Sequence, residues 1–256
     1  MIHPTAIVHP SAEVAADAEI GPYCIVGEHV TLGARAKLLA HVVVNGHTTL
    51  GEDVIVHPFA SVGGTSQDRK VGEDEVSYTK IGNRTIVREY ASIHRATGDG
   101  NATVVGEDCL LLAYTHVAHN CRIGNDVTMS NLAQIAGQVI VEDHAGIGGM
   151  VGVHQDVRIG AYAFVGGMTR ITRDVPPYFL AEGNPAEVHG LNSVGLRRRN
   201  FASETIAELK NAYKLIYRSG NNVRQAIELL RSEVASDAGK ALLAFLEGPS
   251  ERGILK

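Results

Sequence analysis

His119, Gly137 and Gln155 stand eighteen residues apart, Asn120 and Gln138 follow the first two directly, and His154 precedes the third. His116 lies one short step before His119. If the chain stacks in coils of eighteen, His119 and Gly137 are one strand spacing apart, about 5 Å. An imidazole near its unperturbed pKa takes the proton of an attacking hydroxyl at neutral pH and later returns it to a leaving group. A bare backbone N–H aimed at the same carbonyl stabilises the tetrahedral oxyanion. Together these groups suit acyl transfer to an alcohol without a covalent intermediate. Any single one of the 12 histidines is more often a surface or hydrogen-bonding residue. His3, His9, His29, His41, His47 and His57 are expected to belong to that majority.

Positioning such a flank requires a repeat, and the chain carries one. An aliphatic residue stands at every sixth position from Ile2 through Val8, Val14 and Ile20 to Val62. The series resumes at Ile81, Val87 and Ile93 and runs from Val105 to Ile171. A second column, four residues after each, holds only small residues, and Gly often follows the aliphatic one, as at Gly21, Gly51, Gly82, Gly124 and Gly166. A period of six fits neither an amphipathic helix nor an alternating strand, so each unit is a short extended segment and a turn. The glycines suggest corners whose backbone a Cβ would penalise. Three sides would close a coil of eighteen, although spacing alone does not exclude two or four. The repeat resembles that of the hexapeptide-repeat proteins, which implies a mainly β fold: a left-handed parallel β-helix of triangular section. The left hand comes from that resemblance, since parallel crossovers are otherwise right-handed. Coils this thin need stacked neighbours and covered ends for stability.

With 256 residues, 45% of them hydrophobic, the chain has material for an extended core and a small second region. No apolar run is long enough for a membrane span, and a repeat beginning at Ile2 leaves no room for a signal peptide. Cys24, Cys109 and Cys121 fall in the small inward column, which reads as core filler in a reducing cytoplasm. Net charge is −5, no nucleic-acid partner is expected, and the segment from Ser193 onward is net basic. That segment is either a solvated helical surface or a docking face for an acidic macromolecule or phosphorylated ligand.

The β-helix is expected over residues 1–177, with insertions at 67–80 and 98–104, loops of the kind that carry function on a rigid scaffold. Asp174-Val-Pro-Pro-Tyr178 stops strand pairing. Residues 178–192 read as a connector and 193–256 as a small helical region. Its first long helix should run from Ala202 to Ser219, with Ser203 as N-cap and Gly220 as C-cap. Asn222 to Gln225 has the form of a capping box, and another helix should cover Ala238 to Leu246.

Local motifs support a closer resemblance across essentially the whole chain. His41-Val-Val-Val-Asn-Gly-His47, Gln67-Asp68-Arg-Lys70, Ile93-His94-Arg95, His116-Val-Ala-His119, Gly148-Gly-Met150, Val153-His154-Gln155 and Asp174-Val-Pro-Pro-Tyr178 match one family. So does Asn211-Ala-Tyr-Lys-Leu-Ile-Tyr-Arg-Ser-Gly220, outside the repeat. The chain resembles the hexapeptide acyltransferases that begin lipid A synthesis by moving a 3-hydroxyacyl group from acyl carrier protein to UDP-N-acetylglucosamine. The resemblance implies His119 as general base toward the sugar 3-hydroxyl and Gly137 as oxyanion donor. It places Asp68 and Lys70 against the nucleotide sugar, and His94, His116, Gln138, His154 and Gln155 in a substrate cleft. Asn192, Arg198 and Arg199 are implied at the nucleotide or the carrier's phosphopantetheine, and Gly167 at the end of an acyl pocket. It also implies a homotrimer with sites between prisms, and no cofactor beyond the carrier-bound acyl donor.

Three positions depart from the family pattern: Asn120 replaces a common Asp, Gln138 a frequent His, and Val194 a Glu. They leave open whether the acceptor presents a 3-hydroxyl or a 3-amino group. A γ-class zinc carbonic anhydrase is an alternative on the same repeat, with His94, His116 and His119 as ligands. A basic helical tail has no task there, and the step from His116 to His119 is too short for that family. A non-enzymatic scaffold is a further alternative, which the long insertion bearing Asp68 and Lys70 and the polar flank disfavour.

Overall fold

The computed structural model describes residues 1–72 and 74–256; Glu73, inside the first expected insertion, lies outside the described residues. Each hexad from Val8 onward supplies a short strand, and successive strands go in turn to three sheets of nine, eight and ten strands. Pairing runs in steps of eighteen, with Ile7 beside Ile25, Ile135 beside Val153 and Val153 beside Ile171. Across the insertions the step lengthens, Val62 pairing with Ile93 and Ile93 with Val117. The result is a left-handed parallel β-helix of triangular section with a small helical C-terminus.

The aliphatic column fills the prism, Leu38, Val56, Val87, Leu111, Met129, Ile147 and Val165 all being buried. The small column lies beside it, and its three cysteines are buried and free. The corner glycines act differently from the expectation. Gly21 has an ordinary φ, but a Cβ there would sit 2.7 Å from the Leu39 carbonyl oxygen on the next coil. Close stacking, not backbone conformation, therefore requires glycine there. Positive φ falls two residues later and is mostly taken by side-chain-bearing residues: Tyr23, His41, Phe59, Tyr90 and Tyr114 along one edge have φ of 58° to 65°. Their rings stack with centroids 4.8 to 5.0 Å apart, matching the coil spacing, which offsets the cost of the left-handed conformation.

Beyond the prolines, the segment expected as a connector is an antiparallel hairpin of Phe179–Gly183 and Ala186–Leu191, whose first strand pairs in parallel with Phe164–Val165. Four helices follow: α1 (Ser193–Arg198), α2 (Ser203–Tyr217), α3 (Val223–Glu233) and α4 (Asp237–Glu247). The Asn222–Gln225 capping box is complete in both directions. Ser203 is not the cap of α2; Ala202 is, without a side-chain bond. Nor does α2 reach Gly220: it closes at Arg218, and the Ser219 hydroxyl takes the Leu215 carbonyl at 2.6 Å.

Asp174 fastens the C-terminus to the open end of the prism. Fully buried, it accepts from Arg158 N and Nε, both at 2.8 Å, and from Ser250 Oγ at 2.7 Å. Its backbone pairs with Gly253 and Leu255, and the Arg158 guanidinium lies 4.2 Å from the centre of the Phe245 ring. Breaking a buried pair by removing one partner leaves an uncompensated charge. Asp174→Ala should therefore destabilise the fold by about 3 to 5 kcal/mol, read as a shifted urea midpoint. A loss below about 1 kcal/mol, the size of an exposed pair, would contradict this placement.

Candidate active site

His119 sits at the corner between the nine- and eight-stranded sheets, directly after the strand His116–Val117. Its residue is 9% exposed, and its Nδ1 lies 2.9 Å from Asn120 Oδ1. The orientation of the Asn120 amide follows from its other contacts. Its Oδ1 accepts the Thr97 N–H and its Nδ2 donates to the Thr97 carbonyl, both at 2.9 Å. A flipped amide would set donor against donor and acceptor against acceptor. Since Oδ1 faces the imidazole, Nδ1 carries the hydrogen and Nε2 keeps its lone pair. Asn120 itself has φ +60°, a conformation Asn tolerates, and its N–H is taken by Thr103 Oγ1 at 2.9 Å.

Gly137 lies on the next coil, as the eighteen-residue step requires, with the Gln138 N–H donating to the His119 carbonyl at 3.0 Å. A Cβ on Gly137 would collide with Cε1 and Nε2 of His119. The imidazole thus occupies the space that a side chain would need. Among the described residues the Gly137 N–H donates to no acceptor, as at the equivalent corner positions His119 and Gln155.

A cleft of about 600 Å³ runs from this corner over the nine-stranded sheet. His116, His119, Gly137 and His154 line it, joined by Gln67, Gln134, Gly152 and Arg170. Gln134, Gly152 and Arg170 pair in succession above His116. The step of eighteen applied to His116, rather than to His119 alone, would have found all three. Three histidine rings are oriented through Nδ1: His94 to the Thr65 carbonyl at 2.8 Å, His116 to Ser92 Oγ at 2.8 Å and His154 to the Gln155 carbonyl at 3.2 Å. The His94 and His116 rings meet edge to face at 5.2 Å. Among the described residues no three His, Cys, Asp or Glu side chains stand where they could hold a metal.

Burial first, then the nearby His94 and His119, push the His116 pKa from 6.5 down to about 4. The unfolded chain binds this proton near pH 6.5, the native protein only near 4. Stability from this group is complete above 6.5 and declines as pH falls toward 4. His116→Gln should flatten that acid slope in denaturant midpoints measured against pH; parallel slopes would contradict the burial argument.

Other expected residues lie elsewhere. Asp68 and Lys70 are on the loop that places Gln67 in the cleft but do not line it; Asp68 Oδ1 instead accepts the Lys70 N–H at 3.0 Å. Gln138 is exposed at its corner with φ +63°. Gln155 also lies outside the cleft lining, and Arg252 Nε holds its carbonyl at 3.0 Å. Gly167 is exposed at the opposite edge of the nine-stranded sheet from His119.

Asn192, Arg198 and Arg199 are not brought to His119 within one chain. They line a separate cavity of about 830 Å³ against the ten-stranded sheet, with Phe164, Leu180 and Val194. Asn192 caps α1 by accepting the Gly195 N–H at 3.0 Å, and its Nδ2 donates to the Tyr162 carbonyl at 3.0 Å. Arg199 pairs with Asp126 at 2.7 Å; that bond, aided by His144 and opposed by burial, holds the Asp126 carboxyl below its ordinary pKa.

Known proteins share both regions. Residues 102–137 match the bacterial transferase hexapeptide (six repeats) family, and residues 174–255 match domain 2 of the UDP N-acetylglucosamine O-acyltransferases. The acyl-[acyl-carrier-protein]–UDP-N-acetylglucosamine O-acyltransferase of Thermodesulfovibrio yellowstonii is 45% identical over 222 residues, 86% of this chain and 85% of that protein. The one from Syntrophobacter fumaroxidans is 42% identical across 100% of this chain and 99% of its own length. The solved structure of LpxA from Acinetobacter baumannii, 44% identical, superposes with a TM-score of 0.95 over 100% of this chain and 99% of that one. With this identity sustained through the prism, the hairpin and the helices, the chain belongs to the acyl-[acyl-carrier-protein]–UDP-N-acetylglucosamine O-acyltransferase family of enzymes.

Proposed function

We propose that the protein transfers a 3-hydroxyacyl chain from acyl carrier protein to the 3-hydroxyl of UDP-N-acetylglucosamine, the first step of lipid A synthesis, with His119 as general base. The observation that carries the mechanism is the His119 imidazole in its cleft, Nδ1 held by Asn120 and Nε2 over Gly137. Nε2 takes the hydroxyl proton as the sugar oxygen attacks the thioester carbonyl. The Gly137 N–H receives the developing oxyanion. Collapse of the tetrahedral intermediate expels the carrier thiolate, which recovers the proton from Nε2–H. No covalent enzyme intermediate is needed.

Asp68 and Lys70 are assigned to the sugar nucleotide, beside Gln67 at the mouth of the cleft, together with His94, His116, His154 and, at the corner, Gln138 and Gln155. Asn192, Arg198 and Arg199 would reach such a cleft from an adjacent copy, since in their own chain they serve a different face. A homotrimer closed by a threefold axis supplies that arrangement. An acyl chain laid across the nine-stranded sheet passes Gly152, where a Cβ would meet only open space, toward Gly167 at the far edge. Three free cysteines accord with a reducing cytoplasm. No helix among the described residues is long and apolar enough to cross a membrane.

Incubation with UDP-N-acetylglucosamine and 3-hydroxyacyl carrier proteins of several chain lengths, followed by mass detection, tests the reading. Esterified nucleotide sugar is the expected product. Turnover only with a 3-amino sugar nucleotide would replace the acceptor, and no acyl transfer to either would overturn the assignment.

A further inference from the structure

The two insertions are tied to each other and to the catalytic corner by one continuous set of hydrogen bonds. Ser66 Oγ and Thr97 Oγ1 share a bond of 2.7 Å, and Ser66 is only 6% exposed. The same Ser66 oxygen accepts the Asp68 N–H at 3.2 Å, and Asp68 in turn accepts from the Lys70 N–H. On the other side, Thr97 orients Asn120 with its backbone N–H and its carbonyl, and Asn120 orients His119. Thr97 is itself held from the second insertion: Asn101 Nδ2 donates to its carbonyl at 2.9 Å, and the following Gly98 N–H donates to Glu75 of the first insertion at 2.6 Å. Ser66 is buried and Thr97 half-buried, so removing either hydroxyl leaves the other with one hydrogen bond fewer and the loop less firmly held.

We propose that Ser66 and Thr97 are positioning residues for the acyl transfer, joining the loop that carries Asp68 and Lys70 to the His119 base through Asn120. The proposal rests on the acyltransferase reading and on His119 as its base. It makes sugar binding and imidazole alignment parts of one hydrogen-bonded unit, so that loosening the hydroxyl pair impairs both. A pair that only held two surface loops together would leave turnover unchanged.

The test uses full-length Thr97→Val, Ser66→Ala and the double variant, assayed with UDP-N-acetylglucosamine and 3-hydroxyacyl carrier protein. Each single change should raise KM for the nucleotide sugar and lower kcat, both by about three- to tenfold. The double variant should be no worse than the poorer single, since both remove the same bond. Thr97→Ser should restore both constants. Losses that multiply, or single variants with wild-type KM and kcat, would overturn the coupling. Amide exchange over residues 65–72, measured without substrate, should quicken in Thr97→Val and in Ser66→Ala, the latter serving if the threonine variant fails to fold. Unchanged exchange overturns the coupling whatever the activity. Quickened exchange in a protein whose wild type makes no acylated sugar overturns the reaction and leaves the hydrogen-bonded unit standing.

Discussion

His119→Ala should lower kcat for acyl transfer by about 10³-fold while changing KM for the nucleotide sugar less than about threefold. The sugar hydroxyl is a poor nucleophile until its proton leaves, and Nε2 is the imidazole atom with a free lone pair in the cleft. Alanine removes that acceptor and leaves Gly137 and the cleft floor in place. Residual turnover then reflects binding and the oxyanion donor alone. His119→Gln, of similar bulk, separates proton transfer from volume: it should be as slow as alanine. The measurement is steady-state kinetics with saturating acyl carrier protein, together with an unfolding midpoint to show that the fold is intact. Turnover within tenfold of wild type in either variant would remove His119 as the base.

The flank was legible in the chain because it lies on the regular part of the coil. His119 and Gly137 were placed together by the step of eighteen, and Gln138 N–H to His119 carbonyl is the bond that realises it. The same arithmetic fails where the coil is interrupted. Thr97 meets Asn120 across 23 residues, a separation set by the second insertion, so the group that fixes the imidazole tautomer has no periodic signal. In the sequence Asn120 stands out only as a replacement for a common Asp. In the folded chain it is a neutral orienter whose amide is itself held at both ends. Asp174 shows a related limit: its motif marks where the repeat ends, but Ser250 binds it from 76 residues away. The corner glycines were legible as a column and misread in cause, because their constraint is the carbonyl of the next coil rather than their own φ.

Gly137→Ala should cost about 10²-fold or more in kcat/KM, with little change in the unfolding midpoint, although it adds one methyl group at an ordinary backbone conformation. The new Cβ falls on Cε1 and Nε2 of His119, so either the coils or the imidazole must move. The coils are held by the Gln138 N–H on the His119 carbonyl at 3.0 Å and the Asp156 N–H on the Gly137 carbonyl at 3.2 Å. Spreading them would strain the same ladder in neighbouring coils. Turning the ring sacrifices only its 2.9 Å contact with Asn120, one hydrogen bond worth about 0.5 to 1.5 kcal/mol. The imidazole therefore swings away, and the loss appears in catalysis rather than stability. Gly152→Ala adds the same methyl to the same cleft where nothing lies within 4 Å, so it measures lost volume alone. It should retain at least about tenfold more kcat/KM than Gly137→Ala, the margin being the price of displacing the base. Equal losses in the two variants would mean that crowding of the cleft accounts for both. A Gly137→Ala protein that loses its fold and not merely its rate would mean that the coil yields before the ring does.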